Sequence, residues 1–221
     1  MRYHTGCRGW FFTNRDMPVC RDGAGSILAG ENMNKAGTQT IETDRLILRR
    51  FRSEDSEGMY ANWASDPEVT RFLTWPPHTS VDVTKSLLAD WISRYEDGGY
   101  FNWVIEHKET GAVIGNISVV KLNERTEAAD MGYCMSRTYW GQGLMPEALT
   151  AVTDYLFDVI GLNRVAACHD ANNPKSGRVM EKAGMRLEGI LRTGPLRYLQ
   201  RTLSRYRMAR GSFTSCRRNN G

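Results

Sequence analysis

The residues that could most plainly do chemistry are Trp140-Gly141-Gln142-Gly143-Leu144. A strand-like run, Ala128 to Met135, leads into this Gly-x-Gly turn, and a long amphipathic segment, Leu144 to Ile160, follows it at once. Glycine lets a backbone come close to a ligand and take conformations that a Cβ forbids. The first N–H groups of a helix have no internal partner and carry the positive end of its dipole. A phosphate answers both needs, so the segment is a candidate anion cradle; a tight turn before a helix is the plainer alternative. No Gly-Lys-Ser/Thr follows, which excludes a Walker loop, and the third glycine of a dinucleotide fingerprint is missing. Cys7, Cys20, Cys134, Cys168 and Cys216 form no CxxC pair, and neither His4 with Cys7 nor Cys168 with His169 has a second half at zinc spacing. No metal site is expected, and Cys134 and Cys168 read as small buried hydrophobes in strands.

The elements that must position this loop follow from periodicity. Leu46, Leu48 and Phe51 mark a first strand, and Ser53 is placed to cap a helix over 54–65 that stops before Pro67. Leu87, Leu88, Trp91, Ile92 and Tyr95 give helical spacing over 81–96. Strand signals follow at 101–106, 113–120 and 128–135. Leu149, Val152, Leu156, Val159 and Ile160 form the stripe of the helix after the loop, with Pro146 tolerated in its first turn. A strand at 164–169, a helix at 174–183 that ends at Gly184, and a short strand at 187–191 complete the series. Asn173 is expected to cap that last helix and Pro174 to begin it. The order β-α-α-β-β-β-α-β-α-β predicts a mixed α/β domain with an antiparallel front and a βαβ unit behind.

Composition suits a globular protein, at 41% apolar and 24% charged. No apolar run approaches the ~20 residues of a membrane helix, and the N-terminus has no signal-peptide core, Trp10-Phe11-Phe12 being its longest apolar stretch. A cytoplasmic protein without membrane partners is expected. The net charge of +4 divides unevenly: +2 over 1–40, +7 over 197–221 and −5 between them. An acidic body argues against nucleic acid as partner and suits a cationic or amine partner; the basic tail leaves salt-dependent nucleic-acid binding as an alternative. Residues 1–40 lack periodicity and are expected to be a disordered extension, with Met33 as a more conventional start. Residues 41–196 are the expected domain and 197–221 an atypical basic segment.

The motifs Ala129-Asp130-Met131-Gly132-Tyr133, Trp140-Gly141-Gln142-Gly143 with Glu147-Ala148, Asn173-Pro174-Lys175-Ser176, and Val179-Met180-Glu181-Lys182-Ala183-Gly184-Met185 with Glu188-Gly189 occur in this order. Together they resemble the GNAT superfamily of N-acetyltransferases over about residues 43–192, and most of all the branch that contains the ribosomal-protein N-terminal (alanine/serine) acetyltransferases. The resemblance implies a single-domain GNAT fold, a mixed, mostly antiparallel twisted sheet flanked by helices. It implies acetyl-CoA as co-substrate and an amine as acceptor, either a protein N-terminus or a small molecule, and it allows a homodimer. By analogy the pyrophosphate is held by Trp140, Gly141, Gln142, Gly143, Leu144 and Met145, and the pantetheine by Cys134, Met135, Ser136, Asn173 and Ser176. Met145 and Pro146 depart from the family pattern, where a small and a hydroxyl residue are usual.

The same resemblance makes Ser176 the candidate contact for the departing thiolate, with a place in the first turn of its helix as the alternative role. Asp130 is the candidate base, directly or through water, with an ion pair as the alternative. Glu106 and Tyr133 are weaker candidates, and His107 and His169 read as structural or solvated. The loop Trp75-Pro76-Pro77-His78 either shapes the acceptor entrance or is a rigid connector. After Leu191 the family has a further strand, but 194–207 is dominated by arginine and alternates poorly. Without that strand a sheet edge would lie open and stability would be marginal. A CoA-binding module without turnover is the alternative function.

Overall fold

The computed structural model describes residues 33–192 and 202–211. The stretches 1–32, 193–201 and 212–221, and with them Cys7, Cys20, Cys216 and most of the basic tail, lie outside the described residues.

One eight-stranded sheet carries the molecule, in the order β1-β2-β3-β4-β5-β6-β8-β7. Its strands are β1 (Ile41–Glu42), β2 (Leu46–Arg49), β3 (Asn102–His107), β4 (Val113–Asn123), β5 (Ala128–Met135), β6 (Arg164–Asp170), β7 (Arg186–Arg192) and β8 (Thr202–Ala209). All pairs are antiparallel except β5–β6, which is parallel, as a βαβ crossover requires. That crossover is α4 (Leu144–Asp158), and α5 (Pro174–Lys182) follows β6. Leu144, Ala148, Leu149, Val152 and Leu156 of α4 are buried against Trp103, Ile105, Ile117, Met131 and Val165. This face of the sheet is called the back. On the front, α1 (Asp55–Met59), α2 (Pro67–Thr70) and α3 (Val81–Ser93) cover the first half, around Met59, Trp63, Leu88, Val104 and Cys134.

Three expectations change. Ser53 caps nothing: its hydroxyl donates to Glu54, α1 starts later, and it runs into a π-helical turn at Tyr60–Ala64. The domain begins before residue 41, because Thr38 is buried, Tyr155 Oη donates to Gly37 O at 2.7 Å and Trp103 Nε1 to Gln39 O at 2.7 Å. It also extends beyond 196. β8 forms, and it inserts between β6 and β7 with a ladder on each side. Its inward positions include Tyr206 and Met208, both buried, and its outward positions include Arg205 and Arg207. Alternation is therefore present, but arginine supplies the outer residues and Ser204 interrupts the inner row. No described helix is long and apolar enough to cross a membrane.

Candidate active site

The parallel pair β5–β6 is registered only from Ala128↔Arg164 to Met131↔Ala167, although β5 continues to Met135 and β6 to Asp170. Beyond Met131 the two strands part and leave a gap. Backbone directions alternate along β5. Glu127 O accepts from Asn163 N on the β6 side, and Ser136 N donates to Ile114 O on the β4 side. The backbone groups of Tyr133 and Met135 therefore face the gap, and those of Cys134 and Ser136 face β4. Of the expected strand-edge donors Cys134, Met135 and Ser136, only Met135 turns toward the gap, and Tyr133 joins it.

The loop lies at the end of this gap. Gly141 and Gly143 have φ of 81° and 79°, the left-handed region that favours glycine. Among the described residues, the N–H groups of Gly141, Gln142, Gly143, Leu144 and Met145 donate to no protein acceptor. Five free donors at the start of a 15-residue helix fit the diphosphate of acetyl-CoA. Met145 does not disturb this cradle, since its side chain is buried in the core with that of Leu144. The Trp140 indole donates to Met135 O at 2.7 Å, and Lys175 Nζ lies 5.3 Å from its ring centroid. Trp140 thus links the end of β5 to the start of α5, and Lys175 adds a cation beside the loop.

The loop is braced from the turn between β1 and β2. Arg45 Nη1 donates to Gln142 O at 2.9 Å, and Arg45 Nε to Glu147 Oε2 at 2.8 Å. The Thr43 hydroxyl, at 2.6 Å, and Arg45 N, at 3.0 Å, donate to the other oxygen of Glu147. Burial works against this carboxylate, yet the Thr43 and Arg45 bonds hold it below the usual range. Its charge is therefore answered by Arg45 and Thr43, and the loop's own N–H groups stay available.

Ser176 and Tyr133 meet across the gap. Tyr133 Oη lies 2.9 Å from Ser176 Oγ and donates to Ser176 O at 3.0 Å. Burial pushes the phenol above its usual pKa, against the pull of its bond to Ser176, so it is protonated at neutral pH. Asn173 precedes α5 but makes no side-chain capping bond, contrary to expectation. The preceding turn is held instead by Asn172, whose N and Nδ2 donate to Asp170 Oδ1. Cys134, on the front face, donates to Asn116 Oδ1 at 2.9 Å, and burial pushes its thiol up to about 12.

Asp130 is not brought to this group. It belongs to the registered part of β5, and pleating sends its side chain to the face opposite Met131 and Tyr133. There Asp130 Oδ1 accepts from Arg205 Nη2 at 2.9 Å. Glu106 is likewise committed to Arg49 Nε at 2.7 Å, and Asp55 grips the same guanidinium with two contacts of 2.8 Å. His169 Nδ1 lies 2.8 Å from Asp170 O, and His78 contacts Thr84 Oγ1 at 2.7 Å while its chain is anchored at Ala64 O. Among the described residues no group of three or more His, Cys, Asp or Glu could hold a metal ion.

A helix start with free N–H groups, a parted parallel strand pair and a hydroxyl pair spanning the gap form a candidate acyl-CoA site on a mixed sheet. Residues 45–186 match the acetyltransferase (GNAT) domain model. The chain is 32% identical over 152 residues to the uncharacterized N-acetyltransferase YoaA of Bacillus subtilis (strain 168), covering 69% of this chain and 85% of that protein. It is 27% identical over 159 residues to the [ribosomal protein uS5]-alanine N-acetyltransferase of Escherichia coli (strain K12), covering 67% and 79%. The fold matches the microcin C7 self-immunity acetyltransferase MccE, solved with acetyl-CoA and AMP, at TM-score 0.68 and 17% identity, covering 76% of this chain and 93% of that one. The chain belongs to the GNAT acetyltransferase family. It is an acetyl-CoA-dependent N-acetyltransferase whose relatives include the ribosomal-protein type.

Four contributors were missed or underweighted in the sequence. Arg45 and Thr43 lie more than 100 positions from Glu147 and carry no local signal of their partner. Lys175 was visible only as part of a helix start. Tyr133 stood among weaker candidates because nothing in the sequence places it against Ser176.

Proposed function

We propose that this N-acetyltransferase acetylates the α-amine of a protein N-terminus. The observation that carries the reading is that both carboxylates suited to act as base, Asp130 and Glu106, are ion-paired with arginine. An α-amine, with a pKa near ~8, is partly neutral at pH 7 and loses its proton to water, whereas a lysine near ~10.4 needs a dedicated base. In this reading the loop from Trp140 to Met145 binds the diphosphate, and Lys175 screens its charge. The gap-facing backbone of Tyr133 and the Met135 N–H, with the Asn173 amide, align the pantetheine.

As the amine nitrogen bonds to the acetyl carbon, the carbon–sulfur bond breaks and the sulfur leaves as thiolate. The Ser176 hydroxyl donates a proton to the departing sulfur, the acylated nitrogen sheds its second proton to water, and the Tyr133 hydroxyl, 2.9 Å from Ser176 Oγ, relays a proton back to Ser176 as it regains one from water. Ser176 is a catalytic residue in this scheme and Tyr133 acts through it. Asp130 is a positioning residue that holds Arg205.

The test is thiol release from acetyl-CoA with peptides bearing a free N-terminal Ala or Ser, N-blocked peptides bearing lysine, and small amines, from pH 6 to 9. Free N-terminal peptides should give the highest kcat/KM. A higher kcat/KM for lysine or a polyamine would refute the α-amine assignment.

A further inference from the structure

The front of the sheet's second half carries a concentration of arginine on an otherwise acidic domain. Arg205 and Arg207 project to the front from β8, since their neighbours Tyr206 and Met208 are buried on the back. Arg186 is registered directly opposite Arg207, so both guanidinium groups emerge on one face. Arg164 joins them from β6, at 2.5 Å from Glu188. Glu188, displaced by a register shift in β7, also meets Arg205 at 3.4 Å and Arg207 at 3.8 Å. Asp130 takes the other end of Arg205. Asp170, at the far end of β6, accepts from Asn172 N and Nδ2. Among the described residues, Glu188 and Asp130 contact Arg164, Arg205 and Arg207, and Arg186 adds a fourth cation opposite Arg207. Arg207 is half exposed and meets Glu188 only at 3.8 Å, and like charges set directly opposite on paired strands repel.

This face adjoins the gap between β5 and β6, and Arg205 reaches over β6 to its rim at Asp130. The α1, α2 and α3 helices cover the first half of the front, and in the α-amine reading the amine reaches the gap over the second half, where the arginines lie. Strands are spaced by about 4.8 Å, which puts β8 and β7 roughly 10 and 14 Å from β5, the far side of the gap. An extended peptide advances about 3.3 Å per residue, so its third to fifth residues would lie over these strands.

We infer that the acceptor is a protein N-terminus with acidic residues at about positions three to five, held by Arg186, Arg205 and Arg207. The inference rests on the α-amine reading above and adds the partner's charge. Exposed charges of this kind act mainly on encounter and selectivity, and within about 8–10 Å at physiological salt.

The experiment compares two peptides with free N-terminal Ala-Ser, one continuing Glu-Glu-Glu and one Lys-Lys-Lys. Thiol release is followed at low and high salt, and binding of C-terminally labelled peptides is followed by fluorescence anisotropy. The acidic peptide should have about tenfold higher kcat/KM and tighter binding, with both advantages shrinking as salt rises. Arg186→Glu/Arg207→Glu should invert the preference and leave the affinity for CoA unchanged. Arg186→Gln/Arg207→Gln, the milder pair, should bring the ratio near one. Equal or better use of the basic peptide, or a ratio that neither pair moves, overturns the inference. If only lysine or small amines are acetylated, the α-amine reading falls by itself. Anisotropy then decides the patch: acidic-peptide binding lost in the charge-reversed pair sustains it, and no binding overturns it.

Discussion

Removing the Arg45 side chain tests whether the phosphate loop depends on its brace. Arg45→Ala deletes the donor to Gln142 O and both guanidinium contacts to Glu147, at 2.8 and 2.6 Å. The Thr43 and backbone bonds to Glu147 remain. The Arg45 side chain is 46% exposed and that of Glu147 19%, so solvent screens the ion pair and holds it to about 0.5–1 kcal/mol. The bond to Gln142 O adds about 0.5–1.5 kcal/mol. If roughly 1–2 kcal/mol of the loop's preference for its binding shape is lost, the Kd for CoA rises about 5–30-fold. Tm should fall by only a few degrees, since about 1 kcal/mol shifts a domain of this size by roughly 2–4 °C. Calorimetric titration with CoA measures the first and a thermal melt the second. Arg45→Lys keeps the charge but not the fork, and should recover less than half of the lost affinity. A Kd for Arg45→Ala within twofold of the parent's would refute the brace.

Further expectations follow from the same site. Because the Glu147 carboxyl is held below its usual value, its contribution is complete above the unfolded-chain value near ~4.3 and is lost as pH falls through the lowered one. CoA affinity should therefore weaken below about pH 4 in the parent and be flatter in Glu147→Gln, as read by titration. Gly143→Ala forces a side chain into φ 79°, where the nearest obstacle, Arg45 Nη2 at 3.6 Å, is an ordinary contact. The cost is backbone strain of about 1–2 kcal/mol, and the Kd for CoA should rise about tenfold. Ser176→Ala should lower kcat by at least tenfold with little change in Kd for CoA, and adding Tyr133→Phe should lower it little further. Additive losses would show that the two hydroxyls act separately. Iodoacetamide at pH 8 should label exposed Cys168 before buried Cys134, whose thiol is pushed up to about 12, as peptide mapping would show.

The loop and the two helices that begin at it were legible because their signals are local. Gly141 and Gly143 are needed for their own backbone angles, and Pro174 starts α5 where a missing N–H does no harm. Asp130 was read correctly as a strand residue and as one of two alternatives, base or ion-pair partner. The partner, Arg205, stands 75 positions away in a segment that looked unfit for a strand. β8 was obscured because strand propensity is judged on apolar residues, and its outward residues are arginines that depend on Glu188 and Asp130 for their place. Asn173 illustrates the reverse error. A good capping residue at a helix start leaves its side chain uncommitted because the turn before it is already held by Asn172 and Asp170.

The position of β8 between β6 and β7 also bears on how the chain folds as it leaves the ribosome. β6 can pair with β5 once residue 170 has emerged, but its other edge and the whole of β7 wait for residues 202–209. Until then one edge of β6 and both edges of β7 are unpaired, and Leu187, Ile190 and Leu191 have no neighbouring strand. Translation that stalls before β8 would leave a nascent chain whose loop and helix α4 are complete while its sheet invites pairing with other chains. Slow codons upstream of residue 202 should therefore lower the soluble yield more than slow codons after residue 209.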